Sequence, residues 1–538
     1  MPSRRLLAGA VAALFGFTAC QLSKPSQILP ATVKPSQVLR VAVPALPAST
    51  DPALTPPYDS GVARTAFEAL LKPNPTLTDV QPAAAASYEV SPDGLTYTFH
   101  LQPRGTWSDG VPVRAQDFLA GWRRVLDPRV NSPVAELLAG TVKNAAGYDS
   151  LDPTSDAGKI PAFLDQLGLQ APDDHTFVVT LDHPSFAFKW IAAVPALAPA
   201  RADVTPGRPG PGNGPFQLES AAADKIVLTA NSHYWAGRPH LDEIVLVPQG
   251  DPAADLNRYR GGSEEITTVA TASEPDVSRD GALAQQLVQV PELGEVFAQF
   301  NVHSAPFDNA GVRLAFAQAI DRGQLLAQLA EPALASVGPV PKGLRDYRAD
   351  LAAQRFDPAT ARATLASSGV SPVALQGIKL LVRDLPADRA LAGFIAGQLK
   401  QNLGVDIALD VHPSPDVTTT LQTGRFQFQA PAGWLADYAD AQDFLDIYRT
   451  EDFSQWSRYS NPAYDHLVGE ADASSDPTRR LQLYAQAQQL MAGEAPVAFL
   501  YQPLGWNLKQ PYVQGVTYTA LDDWPGDLYA ADIVISAH

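Results

Sequence analysis

A chain of 538 residues is not expected to fold around one hydrophobic core, because single cores stop growing at roughly 250 to 300 residues and longer chains divide. Two or more lobes are the expectation. Hydrophobic residues make up 46% of the chain and charged residues 18%, which supplies apolar material for sizeable cores and lacks the composition of extended disorder. The formal net charge of −18 is spread along the chain with basic residues interspersed. That pattern describes a solvated acidic surface and argues against nucleic acid as a partner.

The first twenty residues read as a targeting segment. Arg4 and Arg5 precede an uncharged run from Leu6 to Ala19 that ends in Phe17-Thr18-Ala19-Cys20, and the run is too short to span a bilayer comfortably. Cys20 is the only cysteine. Its position after small residues resembles the lipobox of bacterial lipoproteins, which implies cleavage after residue 19, lipidation of Cys20 and a membrane-anchored N-terminus. The alternative is an ordinary signal peptide with an incidental cysteine, and both readings export the chain. With no second cysteine there is no disulfide, so stability rests on burial alone.

Residues 21–38 contain three prolines among Ser, Lys and Thr without apolar periodicity and read as a flexible tether. Val38 to Val43 reads as a buried strand, Val62 to Leu71 as a short helix, and Tyr97 to Leu101 and Phe177 to Leu181 as half-buried strands after turn signals. The cluster Pro206 to Pro215 holds four prolines and no Gly-Lys-Ser/Thr, so it reads as a connection and not as a phosphate loop. Later helices are expected over Val312 to Leu329, Ala359 to Ser367, Ala387 to Asn402 and Thr478 to Ala492, with strands at Ile378 to Val382 and Val405 to Leu409. This alternation makes the fold class α/β.

Catalytic templates are missing. There is no Gly-x-Ser-x-Gly, no His-Glu-x-x-His, no phosphate loop with lysine and no cysteine pair for zinc. His233, His240, His303 and His466 are scattered among turns and strand ends, where a surface role outweighs metal ligation. No catalytic residue, metal site or cofactor is expected, and the chain does not read as an enzyme.

Trp107 to Phe118 reads WSDGVPVRAQDF: Asp109-Gly110 makes a turn and Gln116-Asp117 opens a helix, so the segment is chiefly structural. Here the chain resembles the bacterial ABC-transporter extracellular solute-binding proteins of family 5, which include the oligopeptide- and dipeptide-binding proteins. Further matches follow in that family's order: Asn213-Gly214-Pro215-Phe216, Asn231 to Trp235, Leu256 to Gly262, Phe300-Asn301, Pro306-Phe307-Asp308, Val312-Arg313 and Ala319 to Arg322. The resemblance spans residues 39–535.

Ala432 to Tyr438, AGWLADY, followed by Asp443-Phe444-Leu445, resembles the segment in which oligopeptide-binding relatives grip the ligand's α-amino group. The resemblance implies Asp437 as the amine-binding carboxylate and Gly433, Trp434, Leu435 and Tyr438 as neighbours in the cleft. Read from the residues alone, the alternatives are that Asp437 caps a helix over Asp440 to Tyr448 and that Trp434 is plain core. Three positions depart from the family pattern: Phe428-Gln429-Ala430-Pro431 lacks an arginine, Asp388 stands where some relatives have histidine, and the region near Ser414 lacks a tryptophan. Recognition of a ligand carboxylate is therefore not carried by matching residues.

The resemblance implies a two-lobed periplasmic-binding-protein fold of the larger type (type II-like, cluster C): lobe I at 39–292 with an extra subdomain at about 67–207, lobe II at 293–505, and a C-terminal return at 506–538. Hinges are expected near Val290 to Glu295 and Tyr501 to Trp506. It implies a monomeric importer subunit outside the cytoplasm, with a peptide or peptide-like ligand, the permease's transmembrane subunits and, through the lipid, the membrane as partners. The alternative is another solute in the same fold, such as an oligosaccharide, an opine or a metal chelate.

Overall fold

Six residues without a charged break on the inner face, Val38–Val43, form a strand whose Leu39, Val41 and Ala42 are fully buried, as expected for a strand covered on both sides. The structure, a computed structural model, describes residues 37–537 apart from 271–272, 330–331, 451 and 453–455. The targeting segment, Cys20 and tether residues 21–36 lie outside the described residues. No described helix is long and apolar enough to cross a membrane.

Val38–Val43 runs parallel to Glu243–Pro248 and Ile266–Thr268, and antiparallel Lys225–Ala230 and Phe216–Ala222 extend this first sheet outward. A second sheet holds Gly294–Phe300, Phe428–Leu435, Ile378–Arg383 and Ile407–His412. In the last two, helix Pro386–Leu403 connects parallel strands as a βαβ unit. The strand Val497–Lys509 belongs to both sheets: Val497, Ala498, Phe499 and Tyr501 pair with Gly294–Phe300, whereas Leu504 to Leu508 pair with Leu287–Pro291. The chain therefore passes between the two sheets from Pro291 to Gly294 and again near Pro503-Leu504. A four-stranded antiparallel sheet, Ala85–Val90, Thr96–Leu101, Thr176–Thr180 and Leu169–Gln170, forms an added layer separate from these two sheets.

The segments expected as strands and helices form at their places, with two differences. The helix expected over Val62 to Leu71 stops at Ala66. Asn213 takes both the N–H and the carbonyl of Glu68, at 2.9 and 2.8 Å, and Gly214 N–H bonds the Ala66 carbonyl at 3.0 Å, so the groups that a further turn would need are engaged elsewhere. Val312 to Leu329 divides into Ala310–Gln318 and Arg322–Gln328 because Asp321 caps the second helix, accepting from Gln324 N–H at 3.1 Å.

The recurring motifs do structural work. Trp107 is fully buried, donates from Nε1 to Asp117 at 3.2 Å and lies under the Arg201 guanidinium, which pairs with Asp109 at 2.7 Å. Beside the Asn213 clamp, a Cβ on Gly212 would stand 2.1 Å from the Ala66 carbonyl oxygen. Gly212→Ala is expected to destabilise the protein by about 3 kcal/mol, the upper end for overpacking against backbone. Denaturant unfolding checks this, and affinity per folded molecule should stay unchanged.

Candidate ligand-binding site

Strand alternation sorts the residues of the AGWLADY segment before any ligand is considered. On Phe428–Leu435, Gly433 and Leu435 fall on one face and Trp434 on the other. Gly433 pairs with Val296, and a Cβ there would come 3.0 Å from the Glu295 carbonyl, so glycine permits the close strand approach. Leu435 is 40% exposed and packs across Gly294. Trp434 is half-buried and donates from Nε1 to Asp443 Oδ2 at 3.3 Å.

After the strand the chain turns. Asp437 N–H donates to the same Asp443 Oδ2 at 3.0 Å, and Asp440 Oδ1 accepts from Gln442 N–H at 2.9 Å at the start of Gln442–Leu445. Asp440 thus serves the helix start, and the Asp437 carboxylate has no helix-capping bond. Among the described residues the Asp437 carboxylate accepts no hydrogen bond and joins no ion pair. It lines an open pocket, about 370 Å³ of empty space with solvent included, together with Tyr438, Pro57, Arg64, Trp190, Pro195, Leu521 and Leu528.

Arg64 does not neutralise it. Its Nη1 bonds the Leu521 carbonyl at 2.5 Å and Asp527 at 3.3 Å, and its Nη2 bonds the Pro57 carbonyl at 3.0 Å and Ser60 Oγ at 2.7 Å. Asp437 and Asp443 therefore face each other with little counter-charge. Burial pushes the Asp437 carboxyl up to about 7. Burial, then the Asp437 charge, holds Asp443 well above the ordinary carboxylate range. Such a pair can accept a cation from outside: an ammonium entering the cleft would supply the counter-charge of the pair and the donors that the Asp437 carboxylate lacks.

Of the five residues expected around the ligand, Asp437 and Tyr438 line the cavity, Trp434 is tied to Asp443, and Gly433 and Leu435 are outside its lining. The first-lobe walls come from 57–64, 190–195 and 521–528, which carry no motif of their own, and Asp443 was visible only as the residue opening a familiar tripeptide. The departing positions are engaged elsewhere. Asp388 is buried against Arg383 Nε at 2.5 Å, and Ser414 begins helix Ser414–Gln422.

Known proteins resemble this chain along most of its length. The periplasmic oligopeptide-binding protein of Salmonella typhimurium is 29% identical over 500 residues, 89% of each chain. The probable deoxycholate-binding periplasmic protein of Escherichia coli is 30% identical over 478 residues, 85% of this chain and 86% of its own. The unliganded open form of a periplasmic murein tripeptide-binding protein superposes with a TM-score of 0.78 at 27% identity, covering 95% of this chain and 99% of that one. The model describing bacterial extracellular solute-binding proteins, family 5, matches residues 79–456, well over half of the sequence, and with the two-lobed fold it shows that the chain belongs to the bacterial extracellular solute-binding proteins of family 5.

Proposed function

We propose that this protein is the solute-binding subunit of an ABC importer that captures peptides by their free amino terminus and presents them to the permease. The observation that carries the reading is the Asp437 carboxylate, without a hydrogen bond or ion pair among the described residues and facing first-lobe residues across a cavity. A ligand touching Asp437 on one lobe and the walls near Trp190 and Leu528 on the other makes both sets of contacts only when the lobes close. Binding then shifts the open and closed populations toward closure. The passages at Pro291 to Gly294 and Pro503-Leu504 are the hinge in this reading. The mature chain is a monomer, held outside the cytoplasm by lipid on Cys20, and needs no cofactor.

A second reading, a non-peptide solute in the same cleft, is favoured by the likeness to the relative named for deoxycholate. Thermal melts of the purified protein, stripped of co-purified ligand by unfolding and refolding, separate the two. Peptides of two to five residues with free amino termini are expected to raise the melting temperature, since ligand at a thousand times its Kd adds about 4 kcal/mol. The same peptides acetylated at the amino terminus should not. Absence of any shift with every peptide would move the assignment to the second reading.

A further inference from the structure

The carboxylate end of such a ligand has no cation at the positions where the family pattern would offer one, yet Lys72, without an ion pair among the described residues, lines a neighbouring cavity. A pocket with about 1150 Å³ of empty space, open solvent included, about three times that at Asp437, opens beside it. The two cavities share Arg64, Ala193, Pro195 and Leu528 as walls, so the larger space lies directly beside the one at Asp437. An extended peptide gains roughly 3.3 to 3.6 Å per residue.

Lys72 is set into this cavity by strand alternation: in Leu71–Pro73 the flanking residues are buried and Lys72 lies on the opposite face. Its ammonium lies over the Tyr529 ring, 5.0 Å from the centroid, and that ring is fixed by Tyr529 OH donating to the Pro73 carbonyl at 2.7 Å and accepting from Gln81 Nε2 at 2.9 Å. Among the described residues Lys72 makes no side-chain hydrogen bond and no ion pair.

Most of the other charges facing the cavity have partners. Arg64 is held by Asp523 and Asp527, and Arg238 by Asp242. Glu68 accepts from Tyr234 OH at 2.5 Å and Trp235 Nε1 at 2.6 Å. Burial holds its carboxyl above the ordinary range, against the Lys72 charge. Asp532 is exposed, and the His240 ring makes no hydrogen bond among the described residues.

We propose that the cavity receives the carboxylate-bearing end of the ligand, with the Lys72 ammonium as its cation and the Tyr529 ring as the platform that aims it. The inference rests on the reading of the protein as an amine-anchoring peptide binder. It narrows the substrate class to short peptides with both termini free.

Calorimetric titration of the stripped full-length protein tests it, with trialanine and a randomised tripeptide pool each prepared as free acid, carboxyl-terminal amide and amino-terminal acetyl form. For the unaltered protein, amidation is expected to weaken binding at least about tenfold, as loss of a charge pair in a partly desolvated site does. In Lys72→Met the free acid should weaken by a similar factor, so that acid and amide bind alike, while the acetylated form stays excluded. Lys72→Arg should restore part of the difference. An acid-to-amide ratio in Lys72→Met equal to that of the unaltered protein, or no ratio in either, overturns the inference while leaving amine anchoring intact. Failure of every free-amine peptide to bind overturns both. Melting curves of the ligand-free variants confirm that each is folded.

Discussion

Asp437→Ala is expected to cost a free-amine peptide 2 to 5 kcal/mol of binding, about 30-fold to several-thousand-fold in Kd, because truncation leaves the ligand's ammonium enclosed without its carboxylate. Asp437→Asn keeps the shape and should lose nearly as much. Neither variant should be less stable without ligand, since removing the Asp437 charge relieves Asp443, whose carboxyl that charge helps to push up. Calorimetry for affinity and thermal melts for stability check the two halves, and a variant that unfolds instead of losing affinity would make Asp437 a structural residue. The same pair sets a pH dependence. Burial raises the ligand-free Asp437 to about 7, so below that pH a proton must leave before the ammonium can be accepted. Affinity should fall by up to about tenfold per pH unit as pH drops below about 7. Above about 8 the peptide's α-amino group loses its own proton. The optimum therefore lies between about 7 and 8.

The motifs announced the fold because their residue types and their order along the chain can be read directly, although several of their partners lie far away in sequence. Arg313 donates from Nη1 to the Phe307 carbonyl at 2.7 Å and from Nε to the Glu494 carbonyl at 3.0 Å. Arg322 donates from Nε to the Ser336 and Phe499 carbonyls at 2.8 and 2.7 Å. Buried guanidiniums that satisfy carbonyls in this way hold the second lobe together, and residue identity alone marks them. The site was legible on one side only. Asp437 stands in a motif, but its isolation depends on Arg64 being occupied by Asp523, Asp527 and two carbonyls, and on Asp440 rather than Asp437 serving the next helix. Those facts belong to segments more than three hundred residues apart in the case of Arg64 and Asp437, and sequence spacing carries no trace of them. The helix expected to run on to Leu71 failed for a related reason: Asn213 acts from 145 residues away to take the backbone groups of Glu68, and tertiary competition of this kind overrides local propensity.

A second long-range device bears on stability more than on recognition. Arg480 is buried with Asp440, its Nη1 donating to Asp440 Oδ2 at 2.9 Å and its Nη2 to Tyr484 OH at 2.7 Å, and Tyr484 OH in turn donates to Asp472. The guanidinium also lies over the Phe186 ring, 4.8 Å from the centroid, and Phe186 N–H bonds the Asp472 carbonyl at 3.0 Å. One cation thus serves two carboxylates and ties the second lobe to a loop of the added layer. Arg480→Met keeps the apolar length of the side chain and removes the charge, leaving Asp440 and Asp472 buried without it. Breaking a buried pair from one side costs about 3 to 5 kcal/mol, and denaturant unfolding at pH 8 should show that loss. The sign with pH follows from the carboxylates. Burial and the Asp440 charge already hold Asp346 up at about 6 although Arg480 pulls it down, burial likewise raises Asp472 against the Arg480 charge, and without Arg480 Asp346 and Asp472 rise further above their unfolded values. The folded variant then binds more protons than the unfolded chain, so its stability recovers as pH falls toward 5. The gap between Arg480→Met and the unaltered protein should accordingly narrow between pH 8 and pH 5. A constant gap would mean that Arg480 contributes through packing on Phe186 and Tyr484 rather than through charge.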